Sequence, residues 1–365
     1  MNICIIGDSL TSLSLAKNLI NKKINVYLYH KNKIKNLSSS RTIGISKNNL
    51  EFFRKEIQKI SKKMFWEIKK IEIYSEKLKK ENLLNFENSK DNLFYMVKND
   101  RLYLSLINEI SKNKYFIKKL IKKNSFYTDI QKDNKYDLII NCESGNFLSN
   151  KFFTNKIDKK YDNIAYTTIL KHKKIANNIA IQIFTKNGPI AFLPISNSET
   201  SVVCSLDTRN EKYNNEDVLK LIKINNPKYK IEKINKLDSF KLSSSNLRNY
   251  YHHNILAFGD LLHRIHPLAG QGFNMTIRDI KVLAEIIQNK IDLGMQLDSS
   301  ILFNFEKETR NKNFLFSNSI DFIYEAFNFD KKIKSKTFSN ILKTIGKNKT
   351  LTNNFIKLAD KGLNF

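Results

Sequence analysis

Cysteine is scarce in this chain. Three of its 365 residues are cysteines, Cys4, Cys142 and Cys204, and their spacing is not that of a metal site. We interpret them as reduced core residues of a cytosolic protein. No carboxylate or thiol has convincing ligand spacing to a histidine, so we predict no bound metal.

Long apolar runs and a secretory signal are also missing. No uninterrupted apolar run approaches the roughly 18–20 residues that cross a bilayer. The first residues, MNICIIGDS, lack the basic region and cleavage site of a signal peptide. We therefore expect a cytoplasmic protein.

Acidic residues are few beside basic ones. Asp and Glu total 35 against 63 Lys and Arg, which gives a formal net charge of +28. The lysines are spread over the whole chain instead of one helix or tail, so we predict no nucleic-acid partner. A charge of this sign favours anionic membrane surfaces, which leaves peripheral membrane contact open.

The first 30 residues have the pattern of a β-α-β unit, in a chain long enough for two domains. Strand 2–6 is followed by a helix over 10–21 and a second strand over 25–29. In dinucleotide-binding folds the pyrophosphate lies at the N-terminus of this helix, and an acidic residue follows the second strand. The sequence therefore predicts an α/β fold with a Rossmann-like domain.

The glycine motif of that unit is only partly present. The loop reads Gly7-Asp8-Ser9-Leu10-Thr11-Ser12, with serine at two of the three glycine positions, and His30 stands where the acid is expected. A serine hydroxyl can hydrogen-bond phosphate, but Ser9 and Ser12 also suit a helix N-cap. Asp8 would put a negative charge near the pyrophosphate. A nucleotide site and an ordinary β-α-β start both remain open.

The pattern changes to consecutive strands between residues 161 and 206. Predicted strands cover 164–169, 179–184, 191–194 and 201–206, with a turn at Gly188-Pro189. Consecutive strands without helices predict a separate, mainly antiparallel sheet. Beyond residue 300, apolar spacing predicts a helix through Phe316 and Phe327 and another that ends near Ala359.

Residues 255–287 combine a buried strand, a carboxylate, a glycine loop and a helix start. The strand is closed by Gly259 and Asp260, and the loop spans 267–272. A carboxylate can accept hydrogen bonds from a polyol, and glycines allow a ligand to approach backbone N–H groups. The helix N-terminus adds a partial positive charge. The unit suits a phosphorylated or ribityl cofactor.

Two histidines, His263 and His266, lie within this unit, between Asp260 and the glycine loop. Either could act as an acid–base group, or it could be structural and hydrogen-bonded to the backbone. The residues alone leave both interpretations open.

Together these features resemble the flavin-dependent aromatic hydroxylases, the group of para-hydroxybenzoate hydroxylase, and within it the ubiquinone-biosynthesis hydroxylases. The stretches that carry the resemblance are GD…HPLAGQGFNMTIRD (259–279), QIFTKNGPIAFLP (182–194), Trp66 before a strand, and IKLADKGLNF (356–365). The resemblance implies a Rossmann-like FAD-binding domain with an inserted, mainly antiparallel substrate sheet and C-terminal helices. The implied FAD-binding domain covers 1–75, 95–160 and 245–300, the substrate sheet 76–94 and 161–244, and the helices 301–365.

The resemblance also implies a set of site residues. The implied cofactor-binding residues are Gly7, Ser9, Ser12, His30, Arg41, Gly259, Asp260, Pro267, Gly270, Gln271, Gly272 and Asn274. Asp260 would bind the ribityl chain, and residues 270–272 with Asn274 would lie by the isoalloxazine ring. Pro267 would shape the front face of the ring, with Gln271 beside it.

The implied function is FAD-dependent monooxygenation. NAD(P)H would reduce FAD, and a flavin hydroperoxide formed with dioxygen would hydroxylate a polyprenylated phenol in ubiquinone biosynthesis. Such a lipophilic substrate implies peripheral association with the inner membrane, and other ubiquinone-synthesis proteins are implied partners. The eroded loop at residues 7–12, His30 and the degenerate Glu143-Ser144-Gly145 motif support an alternative, a non-catalytic subunit of that pathway's assembly. A reductase or halogenase on the same fold is a further alternative.

Overall fold

A computed structural model describes residues 1–31, 38–76, 81–87, 92–123, 125–209, 212–265, 270–332, 344 and 348–362. Its strands are β1 (Asn2–Ile6), β2 (Asn25–His30), β3 (Thr42–Ser46), β4 (Trp66–Ile68), β5 (Lys70–Ser75), β6 (Glu81–Glu87), β7 (Phe94–Lys98), β8 (Phe116–Leu120), β9 (Leu138–Asn141), β10 (Lys156–His172), β11 (Ile179–Thr185), β12 (Gly188–Pro194), β13 (Glu199–Asp207), β14 (Ile231–Ile234), β15 (Asp238–Leu247), β16 (Tyr251–His252), β17 (Ile255–Ala257) and β18 (His263–Arg264). Its α-helices are α1 (Leu10–Asn21), α2 (Lys47–Phe52), α3 (Asn99–Ile110), α4 (Phe126–Lys132), α5 (Phe147–Phe152), α6 (Asn215–Ile224), α7 (Gln271–Asp292), α8 (Ser299–Lys332) and α9 (Lys349–Lys361).

The first sheet is parallel apart from its short edge strand β16. Its order is β16-β17-β9-β1-β2-β8, and β1 lies between β2 and β9. The five parallel strands follow the order of the dinucleotide-binding fold. Ile3, Ile5 and Ile6 are fully buried, as expected where helices cover both faces of a parallel sheet. The prediction of a Rossmann-like α/β domain is confirmed.

The second sheet is mainly antiparallel, as predicted. Its main path runs β18-β15-β10-β13-β12-β11-β5-β6, with β14 paired to β10. β10 is 17 residues long, far beyond the predicted 164–169, because it pairs with both β13 and β15 along its length. One pair, β11 with β5, is parallel.

The turn predicted at Gly188-Pro189 was wrong. Residues 186 and 187 form the turn, and Gly188 and Pro189 open β12. A Cβ at position 188 would lie 1.9 Å from the carbonyl oxygen of Ser205 on the neighbouring strand. This glycine therefore allows a close approach of two backbones within the sheet.

The strand expected after Trp66 is two strands, β4 and β5, which belong to different sheets. β4 joins β3 and β7 in a three-stranded sheet, whereas β5 joins β11 and β6. The predicted domain boundary at residue 75 therefore leaves β5 on the wrong side, because the chain crosses between the sheets near Lys69. The short helix α2 continues as a π-helical turn, Phe53–Ile57.

The C-terminal helices α8 and α9 lie against α7. Ile265 and Met275 share a buried cluster with Phe316 and Ile320 of α8, and Leu358 of α9 packs on it. The helix through Phe316 and the helix past Ala359 are confirmed. No helix in the described ranges is long and apolar enough to cross a membrane.

Candidate cofactor site

The carboxyl ends of β1, β9 and β17 bring the predicted residues to one edge of the parallel sheet. Gly7 follows β1, Cys142 follows β9, and Gly259 follows β17. A Cβ at position 7 would lie 2.9 Å from Cγ of Glu143 and 3.5 Å from Cβ of Cys142. Ligands of open parallel sheets bind in the crevice outside this edge.

The start of α1 is capped by serine. Ser9 is the N-cap residue, and its Oγ accepts a hydrogen bond from the backbone N–H of Ser12 at 3.2 Å. The two hydroxyls are 3.1 Å apart, and Ser12 is fully buried. Ser9 therefore caps the helix by accepting from Ser12, and Ser9, which is partly exposed, is the one of the two that can also reach a ligand.

Cys142 is a buried thiol beneath this loop. Burial raises the pKa of Cys142 to about 12, against a hydrogen bond with Ser12 that lowers it, while the charges of Glu143 and Asp260 raise it further. The thiol therefore stays protonated at neutral pH, in keeping with a reduced core cysteine.

The charge of Asp8 has partners that the sequence did not predict. Lys118 of β8 places Nζ 3.5 Å from Oδ2 of Asp8, and the hydroxyl of Tyr103 donates to the same oxygen at 3.3 Å. Burial and the Asp8 charge raise the pKa of Tyr103, so it remains a donor. The repulsion expected between Asp8 and a pyrophosphate is therefore partly offset.

His30 and Arg41 lie in two different places. His30 ends β2 at the carboxyl edge, where its carbonyl oxygen accepts from the N–H of Ile121 at 2.8 Å. Arg41 is exposed just before β3, and its guanidinium carbon is 5.8 Å from the ring centroid of Phe240 on β15. Arg41 thus stands at the junction of the three-stranded and mainly antiparallel sheets.

Asp260 is exposed three residues after the end of β17, and Gly259 before it is buried. A Cβ at position 259 would lie 2.7 Å from Cγ2 of Thr11 in α1, and φ at this residue is +63°. A glycine is needed here because the chain turns in a left-handed conformation against the first turn of a helix. The contact holds the Asp260 carboxylate beside the start of α1.

Among the described residues, no side chain caps the N-terminus of α7. Gly270 is the N-cap residue, and it forms no side-chain capping hydrogen bond. Oε1 of Gln271 is buried and has no hydrogen-bond partner in the described part of the chain, whereas Gly272 is exposed. The predicted residues Pro267 and His266 lie outside the described residues.

Asn274 does not reach a ligand with its side chain. Its Oδ1 accepts from the N–H of Ser46 at 2.9 Å and from Nδ2 of Asn49 at 3.0 Å. Its Nδ2 donates to the carbonyl oxygens of Gly44 at 2.8 Å and Gly270 at 3.3 Å. These four bonds use the full capacity of an amide. Asn274 therefore fixes the backbone at Gly270 to β3, and its place by the ring stays a prediction.

His263 has a structural environment. It is buried and bonded to the carboxylate of Asp279, whose other oxygen accepts from Nδ2 of Asn313 at 2.9 Å. The imidazole is therefore sequestered between β18, α7 and α8, and of the two histidine interpretations the structural one applies to His263.

The site fits a flavin at its α7 end. The buried acceptor Gln271 Oε1 needs an N–H or O–H donor, and uncapped N–H groups of a helix need acceptors. A flavin pyrimidine edge carries an N–H between two carbonyl oxygens, and the exposed Asp260 can accept from ribityl hydroxyls. The α1 end fits less closely, because the side chain of Glu143 lies over Gly7.

The comparison with family models covers the α7 end of the site and not the α1 end. The family model for an FAD binding domain matches residues 153–295, which includes the Gly270 loop and leaves out the Gly7 loop. A mitochondrial ubiquinone biosynthesis monooxygenase COQ6 of Xenopus tropicalis is 27% identical over 192 residues, 42% of this chain and 41% of its own. The 3-demethoxyubiquinol 3-hydroxylase of Escherichia coli (strain K12) is 28% identical over 153 residues, 40% of this chain and 39% of its own. The chain spans about two fifths of the length of the curated relatives it matches.

Solved structures share the whole fold. The p-nitrophenol 4-monooxygenase PnpA of Pseudomonas putida DLL-E4 superimposes with a TM-score of 0.76 at 10% identity, covering 98% of both chains. PqsL of Pseudomonas aeruginosa, titled a probable FAD-dependent monooxygenase, gives a TM-score of 0.71 at 12% identity over 94% of this chain and 99% of its own. At such identities the likeness establishes the architecture.

Proposed function

Because the chain belongs to the FAD-binding monooxygenase superfamily of para-hydroxybenzoate hydroxylase, we propose that it hydroxylates the aromatic ring of a polyprenylated phenol in ubiquinone biosynthesis. FAD is the proposed cofactor, NAD(P)H the electron donor and dioxygen the co-substrate. The curated relatives named as ubiquinone-biosynthesis hydroxylases support this substrate class.

The observation that carries the proposal is the α7 end of the site. Among the described residues, Gln271 Oε1 has no hydrogen-bond partner and the start of α7 has no side-chain cap. Asp260 is exposed at the adjoining edge of the sheet. A buried acceptor without a partner costs free energy on the order of 1–3 kcal/mol. A bound group that donates a hydrogen bond to this acceptor would remove the cost.

The roles of the chain's residues follow from their positions. Asp260 would accept hydrogen bonds from the ribityl chain, Gln271 would accept from the ring edge, and Asn274 would keep the loop in register with β3. The helix dipole of α7 would favour negative charge at the pyrimidine edge. FAD, when bound, supplies the activation of dioxygen and the transfer of one oxygen atom.

An FAD titration of the purified protein tests the proposal. We expect bound flavin with its visible absorbance bands, and oxidation of NAD(P)H that increases when a polyprenylated phenol is added in detergent. Mass spectrometry should then find a product heavier by one oxygen atom. Absence of flavin binding after reconstitution would sink the proposal.

A second candidate is a non-catalytic subunit of the ubiquinone-synthesis assembly. The observation that favours it is the Glu143 side chain beside Gly7, where Cγ of Glu143 would lie 2.9 Å from a Cβ at position 7. An acidic side chain beside this loop would oppose an approaching pyrophosphate. Replacement of Glu143 by Gln distinguishes the two candidates. A catalytic protein should bind FAD with equal or higher affinity after Glu143→Gln, whereas a subunit without a cofactor should bind none in either form.

Peripheral contact with an anionic membrane is the proposed route to a lipophilic substrate. Several large apolar side chains of α8 are exposed, namely Phe303, Phe314, Leu315 and Phe322. With 3.6 residues per turn they fall within about a third of the helix circumference. Lys307 and Arg310 lie in or beside the same sector, and the whole chain carries +28.

A further inference from the structure

A small pocket lies between α7, α8 and the end of α9, about 10 Å along α7 from Gln271 at 1.5 Å per residue. The residues that line it are Arg278, Asp279, Val282, Thr309, Lys312, Asn313, Phe316 and Gly362. Its chemistry is dominated by the cation of Arg278. The proposed monooxygenase function uses none of these residues.

Arg278 has donors without acceptors. Its terminal nitrogens Nη1 and Nη2 are both buried and lack a hydrogen-bond partner in the described ranges. The guanidinium carbon is 4.4 Å from the ring centroid of Phe316, so one face of the group is covered. Buried guanidinium nitrogens are normally paired because their desolvation is costly.

The neighbouring carboxylates are committed to other groups. Asp279 binds His263 through one oxygen and Asn313 through the other. Asp360 of α9 accepts from the backbone N–H of Asn48 at 2.9 Å. Both act on Arg278 only through their charge. Burial lowers the pKa of Arg278 to about 10 while those charges raise it, so the group stays cationic at neutral pH.

We propose that this pocket binds a small oxyanion, a phosphate or carboxylate group held by the two terminal nitrogens of Arg278. A planar guanidinium binds two oxygens of one anion in parallel, which matches two adjacent unpaired nitrogens. Lys312, exposed on α8 at the same pocket, adds a second positive charge.

Calorimetry with inorganic phosphate and with acetate tests the proposal on the full chain, against sodium chloride at the same pH and ionic strength. We expect phosphate, acetate or both to release heat of binding and to raise the melting temperature beyond the chloride control. The anion that does so identifies the preferred oxyanion. No specific response to either would overturn the proposal.

Two variants test whether the oxyanion binds at Arg278. Arg278→Met keeps an apolar contact with Phe316 and should lower the affinity for the oxyanion at least about tenfold. This is the factor expected for one charge-assisted hydrogen bond. Lys281→Met, an exposed lysine of the same helix, is the matched control and should leave the affinity unchanged.

A response that survives Arg278→Met would assign the anion to another place, such as the start of α1, and overturn the proposal. Should Arg278→Met fail to fold, the exposed position of Lys312 still permits a test. Lys312→Gln should lower the affinity severalfold because it removes the second charge, and an unchanged affinity would contradict the pocket assignment.

Discussion

At the scale of single residues, Gln271 is where stability and function oppose each other. Its Oε1 is buried and has no partner among the described residues, so we expect the side chain to weaken the free protein. A polar group that costs folding free energy and sits beside an uncapped helix end is typical of a binding site. The conflict can be measured, because removal of the acceptor should keep or raise the free energy of unfolding without FAD but weaken FAD binding.

Replacement of Gln271 by Leu should separate the two effects. We expect the free energy of unfolding without FAD to stay equal or rise by about 1 kcal/mol, since the orphan acceptor is removed. The dissociation constant for FAD should rise about tenfold, the effect of one lost hydrogen bond. Denaturant unfolding and flavin titration measure the two quantities, with Gln288→Leu on the same helix as control. A parallel loss of stability and FAD binding would contradict the assignment.

Asn274 should behave in the opposite way. Asn274→Ala removes four buried hydrogen bonds and leaves their partners in β3, α2 and the Gly270 loop unsatisfied. We expect a loss of about 3 kcal/mol in the free energy of unfolding, measured with denaturant. Asn289→Ala, at an exposed position of α7, should cost well under 1 kcal/mol. Equal effects of the two substitutions would rule out this role.

At the scale of elements, the contact between β17 and α1 sets the width of the cofactor crevice. Gly259 and Gly294 have nearly the same φ, +63° and +67°. Only position 259 has a neighbour close enough to clash with a Cβ, namely Cγ2 of Thr11 at 2.7 Å, whereas position 294 has nothing within 4 Å. The two glycines form a matched pair for separating backbone strain from packing.

Alanine at each position makes the comparison. Gly294→Ala should cost about 1 kcal/mol of stability, the price of a left-handed conformation alone. Gly259→Ala should cost at least about 2 kcal/mol more, because α1 must move away from β17. It should also lower FAD affinity by displacing Asp260. Thermal unfolding and flavin titration provide the data, and costs of equal size would argue against the packing constraint.

The elements that the sequence predicted correctly are those with a strong local pattern. β1, α1 and β2 carry apolar residues at the periods of strand and helix, and their bounds agree within one residue. The crossing near Lys69 and the length of β10 had no local signal. Strand ends depend on the partners in the sheet, and those lie far away in sequence.

The sequence predicted where the site residues lie in the fold, but not which side chains they contact. The residues after β1 and β17 meet at one edge because parallel strands of this topology require it. The partners of Asn274 lie up to 230 residues away, so no spacing in the chain could disclose that its amide is saturated. Lys118, which offsets Asp8, likewise stands on a strand with no motif around it.

At the scale of the whole molecule, α8 joins the Rossmann-like region to the large sheet. Phe305 belongs to the core of the Rossmann-like region, and Tyr324 packs in a smaller cluster with Tyr161 and Leu242 of the large sheet. Buried polar contacts bind α8 to the large sheet: Ser317 accepts from Asn246 at 2.8 Å, and Asp321 accepts from Ser244 at 3.0 Å. One face of α8 is thus fixed by the fold. By the helix period, the exposed apolar sector of Phe303, Phe314, Leu315 and Phe322 adjoins that face.

That exposed sector, together with the net charge of +28, predicts binding to anionic vesicles. The triple variant Phe314→Ser, Leu315→Ser and Phe322→Ser should bind at least about tenfold more weakly in vesicle sedimentation, since it removes apolar area that would enter the interface. Ile224→Ser with Leu293→Ser, two other exposed apolar positions, is the control and should leave binding unchanged. Raising salt should weaken the wild type and the control alike, because screening acts on the lysines and arginines and not on the apolar contacts. Equal binding to neutral and anionic vesicles, or equal loss in both variants, would show that α8 is not the contact surface.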